Sequence, residues 1–456
     1  MTRRSALIVV ALLVAALAVR IVRIEESSYY RPVNDAGSYL TLASQIAHTG
    51  DYTLSRRPGV GAGGTRGPSA YFPPGFPYLL AGVDLIDGHA TRRGAAIQGA
   101  RVSQALLGTV VVGLIGLVGL EAFGPATGLI ALGLAAAYPV LIELSGILVA
   151  ETLLTALVLA ASYTALRARR SAHPYRWVLA AGLFSGLAAL THENGVLILL
   201  PLAVAVWDAA GRSLAAPAVL IATAALTIAP WTIRNLAVMH DLIPISDETG
   251  VTLVGTYNPA SAAYRPVPYK WRIFYGIPGE QRIVAESSRM SEPQLEARFE
   301  HQALAYIGAH PLAPLLVAYH NTLRMLELEG SLAWQASAYA MGLRPGIAWT
   351  GIISFWVIGV LAIVGACTRA ARSAPRWLWF LPAFLALSVV LVNVETPRFR
   401  EPVDPFLILL AACALSTAVR RVSAGAGLCR APVRRDRGPA TPARDAQLVE
   451  VRQCLA

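Results

Sequence analysis

Ala105-Leu106-Leu107-Gly108-Thr109-Val110-Val111-Val112-Gly113-Leu114-Ile115-Gly116-Leu117-Val118-Gly119-Leu120 is an unbroken run without a single charge. Such a run reads as a helix in hydrocarbon, where backbone polar groups must be satisfied within the segment. Extended to 98–120 it reaches the ~20 residues that cross a bilayer. Nine further apolar runs accompany it, at 5–24, 126–143, 147–166, 177–191, 195–209, 214–236, 347–367, 377–393 and 402–420. Their spacing predicts an all-α polytopic membrane protein with about ten transmembrane helices. Several runs are shorter than usual, and tight turns at Leu144–Gly146 and Thr191–Asn194 join neighbours.

Composition agrees. Of 456 residues, 55% are hydrophobic and 14% charged, with mean hydropathy +0.54. Soluble domains carry about 25% charged residues. The net charge of +11 does not point to nucleic acid, because the basic residues sit at the ends of apolar runs and in the tail. That is the pattern of membrane orientation and headgroup contact. Cys367, Cys413, Cys429 and Cys454 avoid the long polar loops and have no zinc spacing, so neither a disulfide framework nor a metal site is implied.

Lys and Arg placement sets the sidedness. With a cytoplasmic N-terminus, the inner loops hold Arg167, Arg169, Arg170 and Arg176, then Arg212, then Arg369, Arg372 and Arg376. The tail adds Arg420, Arg421, Arg430, Arg434 and Arg435, whereas the short outer turns at 143–147 and 191–195 carry none. This matches the positive-inside rule. Met1–Val19 also resembles a signal peptide, with Ala16-Leu17-Ala18 as its cleavage site. The apolar run continues through Ile24, which favours an uncleaved helix.

Four parts follow: a transmembrane module at 1–236 with an outer loop at 25–97, an extracytoplasmic subdomain at 237–346, transmembrane helices at 347–421, and a basic, disordered cytoplasmic tail at 422–456. The subdomain carries Tyr257, Tyr264, Tyr269, Trp271, Phe274 and Tyr275. Its stretch Ser291–Leu328 reads as helical and amphipathic, broken by Pro311 and Pro314, with part of it expected on the membrane surface.

Polar motifs recur at the outer ends of the runs. Asn34-Asp35-Ala36-Gly37-Ser38-Tyr39 puts a carboxylate at the outer surface, with Tyr39 on the same helix face. Charge beside lipid is costly and tends to be functional, although Asn34 or Asp35 can equally cap the helix that follows. Tyr71-Phe72-Pro73-Pro74-Gly75-Phe76-Pro77-Tyr78 suits an interfacial turn or a substrate-lining wall. Glu151, one turn into an apolar run, should face the bundle interior, or else stabilise a helix N-terminus. The turn Thr191-His192-Glu193-Asn194-Gly195 offers His192 and Glu193 as substrate contacts, against the reading of a capped turn; one His and one Glu are weak metal evidence. Pro230-Trp231-Thr232-Ile233-Arg234-Asn235 ends a run with an arginine that binds substrate or snorkels. Glu395-Thr396-Pro397-Arg398-Phe399-Arg400-Glu401-Pro402 sets Arg398 and Arg400 in an outer connection, against the positive-inside trend, which points to an anion.

Carboxylates that deprotonate a hydroxyl and arginines that hold a phosphate suffice for transfer from a lipid-phosphate sugar, whose phosphate departs as a stabilised anion. No P-loop or dinucleotide motif is present. In order and sidedness these motifs resemble the membrane glycosyltransferases of the GT-C superfamily, in particular the protein-O-mannosyltransferase and aminoarabinose-transferase group (glycosyltransferase family 39-like). The resemblance covers about 35–405 and makes 1–236 the catalytic module.

The resemblance implies a GT-C-type fold, a polyprenyl-phosphate-linked sugar donor, and a lipid, glycan or protein acceptor at the outer face. It implies inverting transfer, with Asp35 as the base. Arg398 or Arg400 would contact the donor phosphate, and Arg234 is a further candidate. It implies no cofactor and leaves a divalent cation open. Two departures stand out: Ala36 replaces a second acidic residue, and His192 and Asn194 replace parts of an Arg-Pro-Glu-Gly turn. Arg20 and Arg23 are candidates for compensating positive charge. A polytopic transporter or lipid-linked-saccharide flippase is the rival reading, but it predicts internal repeats and polar groups at the midplane. A partner-binding role for 237–346 leaves the recurring polar motifs unexplained.

Overall fold

A computed structural model of the chain describes residues 3–27, 29–54, 67–86, 93–272, 282 and 285–428. The tail beyond 428, with Cys429, Cys454 and the last arginines, lies outside the described residues, as do Phe274 and Tyr275. Residues Met1–Ser416 form one unit, and a second unit begins at Thr417.

The opening stretch is the middle of helix α4, Arg93–Phe123. Before it come α1 (Arg3–Glu26), α2 (Asp35–Thr49) and α3 (Gly75–Ile86). After it run α5 (Pro125–Ala137), α6 (Pro139–Leu144), α7 (Glu151–Ala168), α8 (Pro174–Ala189), α9 (Leu199–Ala209) and α10 (Ala215–Met239). The 237–346 segment contributes α11 (Thr249–Thr256), α12 (Pro259–Ala263), α13 (Glu292–Ala309), α14 (Ala313–Met325) and α15 (Ser331–Ala340). The chain then returns through α16 (Pro345–Ala366), α17 (Arg369–Ser373), α18 (Trp377–Val390) and α19 (Asp404–Leu428). The fold is all-α and polytopic. Among the described residues, five helices are long and apolar enough to cross a bilayer alone: α1, α4, α10, α16 and α19.

Burial separates the centre from the lipid rim. Helix α7 buries thirteen of its eighteen residues, whereas α1 buries only Ala16, Arg20 and Ile24 and exposes Leu7, Val10 and Val14. A helix apolar all round with little burial faces lipid, and α7 is the hub against which α4, α8 and α9 pack. Helices α8 and α10 approach closely because Gly182 and Gly186 present no side chain. A Cβ on Gly182 would lie 2.6 Å from the Leu220 carbonyl, and one on Gly186 2.6 Å from the Thr227 Cβ. Small residues four apart are the usual means of such contact between membrane helices.

Several expected runs are broken. The 126–143 run divides at Tyr138, whose extended ψ of 112° is the conformation a following proline demands. The 147–166 run becomes helical only at Glu151. Residues 145–150 form a buried irregular segment with its carbonyls satisfied from α4: Arg101 Nε donates to Gly146 O at 2.7 Å, and Gln104 Nε2 to Ile147 O and Val149 O at 3.0 and 2.8 Å. Irregular backbone is tolerated at membrane depth under such conditions. The 195–209 run opens as a 3₁₀ turn, Glu193–Ile198, before α9. Ser291 closes a capping box with Gln294 on α13. The 291–328 stretch is broken at 310–312, beside Pro311, and Pro314 then sits in the first turn of α14.

Candidate active site

Asp35 is the first residue of α2, and Asn34 before it makes no side-chain capping bond. Asn34 is held instead through Nδ2 to Ala340 O at 2.9 Å, with φ +51°. The Asp35 carboxylate turns into the fold and accepts from Arg398 Nη1 at 2.6 Å. One turn on, Tyr39 is buried against Phe72, tilted at 4.8 Å, and Phe76, edge-on at 5.0 Å. Burial, followed by the Asp35 charge, pushes its phenol well above its ordinary value. The Pro73-Pro74 turn thus supplies the aromatic wall behind the carboxylate.

Glu151 opens the central helix α7 and is 1% exposed. Its Oε1 accepts from Arg398 Nε at 2.5 Å, and its Oε2 has no hydrogen-bond partner among the described residues. Arg398 therefore bridges two carboxylates, one from the first loop and one from the hub helix. Burial opposes its charge, but Glu151 and Asp35 hold its pKa well above the ordinary arginine value.

The turn at 191–195 closes beside them. It is tight because a Cβ on Gly195 would lie 2.4 Å from the Ala188 carbonyl. His192 meets Phe399 edge-on at 6.1 Å, and its Nδ1 is buried without a partner among the described residues. Burial, with help from the Arg398 charge, pushes its pKa down to about 4, so its imidazole is neutral near pH 7. Glu193 accepts from the Ser246 hydroxyl, and burial pushes its pKa up.

These groups line one cavity of about 560 Å³, the size of a typical ligand pocket. Asp35, Tyr39, His192, Glu193 and Arg398 all reach it, and Glu151 lies behind it. Two charged lining residues come from the 237–346 segment and escaped the sequence reading. Glu248 precedes α11, and its pKa is raised well above the carboxylate range by burial and then by Glu193 and Asp35. Lys270 pairs with Glu395 at 3.2 Å. Neither sits in a local motif; only the folded chain brings them here. Among the described residues no three His, Cys, Asp or Glu side chains converge as a metal site.

Four arginines lie elsewhere. Arg234 does not line the cavity. Its guanidinium donates to Ser69 O at 2.7 Å and Tyr52 O at 3.0 Å and stacks on Trp231 at 4.8 Å, tying the first loop to α10. Arg400 is 1% exposed and points to the other side of its connection. It donates to Asp404 at 3.1 Å and to Glu327 and Met325 O at 3.0 Å, with Phe355 stacked at 3.6 Å. Arg20 and Arg23 give the cavity no charge. Arg20 donates to Ser145 and to the Leu141 carbonyl, and Arg23 to Glu143 at 2.5 Å. They serve the broken stretch between α6 and α7.

The architecture has known counterparts. The oligosaccharyltransferase of Archaeoglobus fulgidus, solved tethered to an acceptor peptide, is 15% identical with a TM-score of 0.57 over 94% of this chain and 51% of its own. The AglB oligosaccharyltransferase of the same organism, solved with an inhibitory peptide and a dolichol-phosphate, is 14% identical with a TM-score of 0.55 over 97% and 53%. The fold is shared with these oligosaccharyltransferases. This chain spans about half the length of those proteins. Residues 72–233, from the aromatic-proline turn to the end of α10, match the family described as dolichyl-phosphate-mannose-protein mannosyltransferase. No curated protein matches the chain by sequence.

Proposed function

We propose that this chain is a multi-pass membrane glycosyltransferase that moves a sugar from a polyprenyl-phosphate donor to a hydroxyl acceptor, with inversion. The observation that carries the reading is the contact of Asp35, Arg398 and Glu151 at the wall of one cavity. A base and a phosphate-binding cation stand side by side there. The family match over 72–233 and the GT-C fold support it, as does a dolichol-phosphate in a protein of the same fold.

In this reading Asp35 accepts the proton of the acceptor hydroxyl. The acceptor oxygen attacks the anomeric carbon opposite the phosphate, and the bond from that carbon to the phosphate oxygen breaks. Polyprenyl phosphate leaves with the electron pair, and Arg398 balances the charge that grows on it. His192 offers a neutral imidazole to the sugar or the acceptor. Glu193, Tyr39 and Glu248 complete the wall, and Lys270 is a second cation. The acceptor is a lipid, glycan or protein at the extracytoplasmic face. The arginines of the inner loops at the opposite ends of the helices support that side. A flippase would need its charges at the midplane, and here they gather around a cavity at the helix ends.

The test is transfer of radiolabel from polyprenyl-phosphate sugars in membranes carrying wild-type protein or Asp35→Asn. The variant should insert normally and lose about 10²- to 10⁴-fold in rate, the usual worth of a positioned base. Undiminished transfer by the variant sinks the base assignment.

A further inference from the structure

The two carboxylates on Arg398 are not equivalent. Glu151 is fixed at the start of the hub helix with a side chain 1% exposed, whereas the Asp35 side chain is 38% exposed and stands at the cavity wall. Releasing Glu151 would strand a carboxylate where water cannot reach it, but releasing Asp35 returns one to the open cavity. The cavity is also poor in free positive charge. Among its described lining residues the lysines and arginines are Arg398 and Lys270 alone, and Lys270 is paired with Glu395. An anionic phosphate entering this cavity finds both cations already paired, and the one that contacts Asp35 at the wall holds two carboxylates.

Resting on the reading of Arg398 as the phosphate contact, we propose that the donor phosphate displaces Asp35 from Arg398, so that the base is freed only when the donor is in place. Glu151 is then a positioning residue that keeps the guanidinium aimed at the cavity through the exchange. A phosphate monoester suits the exchange because its oxygens accept paired, charge-assisted bonds from a guanidinium. Asp35 loses its ion pair at the moment an acceptor hydroxyl can use it. Without the donor it stays occupied by Arg398 and abstracts nothing.

The inference gives Asp35→Asn opposite effects on binding and on rate. Purified protein in detergent is titrated with a polyprenyl monophosphate, which carries the phosphate and no sugar. Asp35→Asn and Asp35→Ala should both bind it roughly ten-fold more tightly than wild type, because a charged competitor for Arg398 is gone, while transfer is lost. Using both variants guards against one misfolding. Unchanged or weaker binding by both overturns the exchange. Arg398→Gln separates this failure from failure of the underlying reading. If Arg398→Gln weakens binding and the Asp35 variants do not tighten it, the exchange alone falls. If Arg398→Gln binds as wild type does, Arg398 is not the phosphate contact and both fall.

Discussion

Arg398 and Arg400 stand two residues apart in one connection, both nearly buried and each between two carboxylates, yet they do different work. Arg400 has only buried partners: Asp404 and Glu327 flank it, the Tyr138 hydroxyl donates to Asp404 at 2.9 Å, and Phe355 covers its face. Arg398 has one closed side, at Glu151, and one open side, at Asp35 and the cavity. A buried arginine whose partners are all buried holds the fold together. One with an accessible partner can trade that partner for a ligand. A single residue, Phe399, separates the two environments because the connection coils as a 3₁₀ turn, in which side chains two residues apart diverge by about 120°.

The largest effect expected from that difference is structural. Arg400→Gln should strand Asp404 and Glu327 and cost about 3–5 kcal/mol of stability. It would be read as a lowered thermal midpoint in detergent and a loss of folded protein; a stable variant would show that the cluster is not closed. Glu151→Gln keeps the shape but weakens the hold on Arg398, so donor KM should rise roughly ten-fold with a smaller change in kcat. Equal KM would mean that Arg398 needs no second anchor. Arg234→Gln should cost about 1–2 kcal/mol through its lost carbonyl contacts and leave donor KM alone; a raised KM would return Arg234 to the site.

The smallest effect concerns His192. Its pKa of about 4 lies below the ~6.5 of an unfolded imidazole, so the unfolded chain binds the proton more tightly. Its contribution to stability is full above pH ~6.5 and is lost as pH falls toward 4. His192→Gln should flatten the fall of thermal midpoint across that window and leave the pH profile of transfer between 6 and 8 unchanged. A shifted profile there would make His192 the titrating group.

The sequence discloses the helices well and the site in part, for physical reasons. Apolar runs are local, so α4, α10 and α16 are legible from composition alone. The breaks at Tyr138 and at 145–150 depend on what Arg101 and Gln104 donate from another helix, which no run of residues records. Asp35, Glu151 and Arg398 stand out because charge at the ends of apolar helices is costly. Arg234 and Arg400 stand out for the same reason, and only their partners distinguish them. Glu248 and Lys270 are ordinary charges in a polar segment and become notable only when the 237–346 segment folds over the cavity.

The most direct measurement is steady-state sugar transfer by Arg398→Gln and Arg400→Gln in proteoliposomes, with donor concentration varied and rates normalised to folded protein. Donor KM for Arg398→Gln should rise at least about ten-fold, the worth of a charge-assisted contact, while folded Arg400→Gln keeps a wild-type KM. A wild-type KM for Arg398→Gln, or the larger rise at Arg400→Gln, would contradict the account.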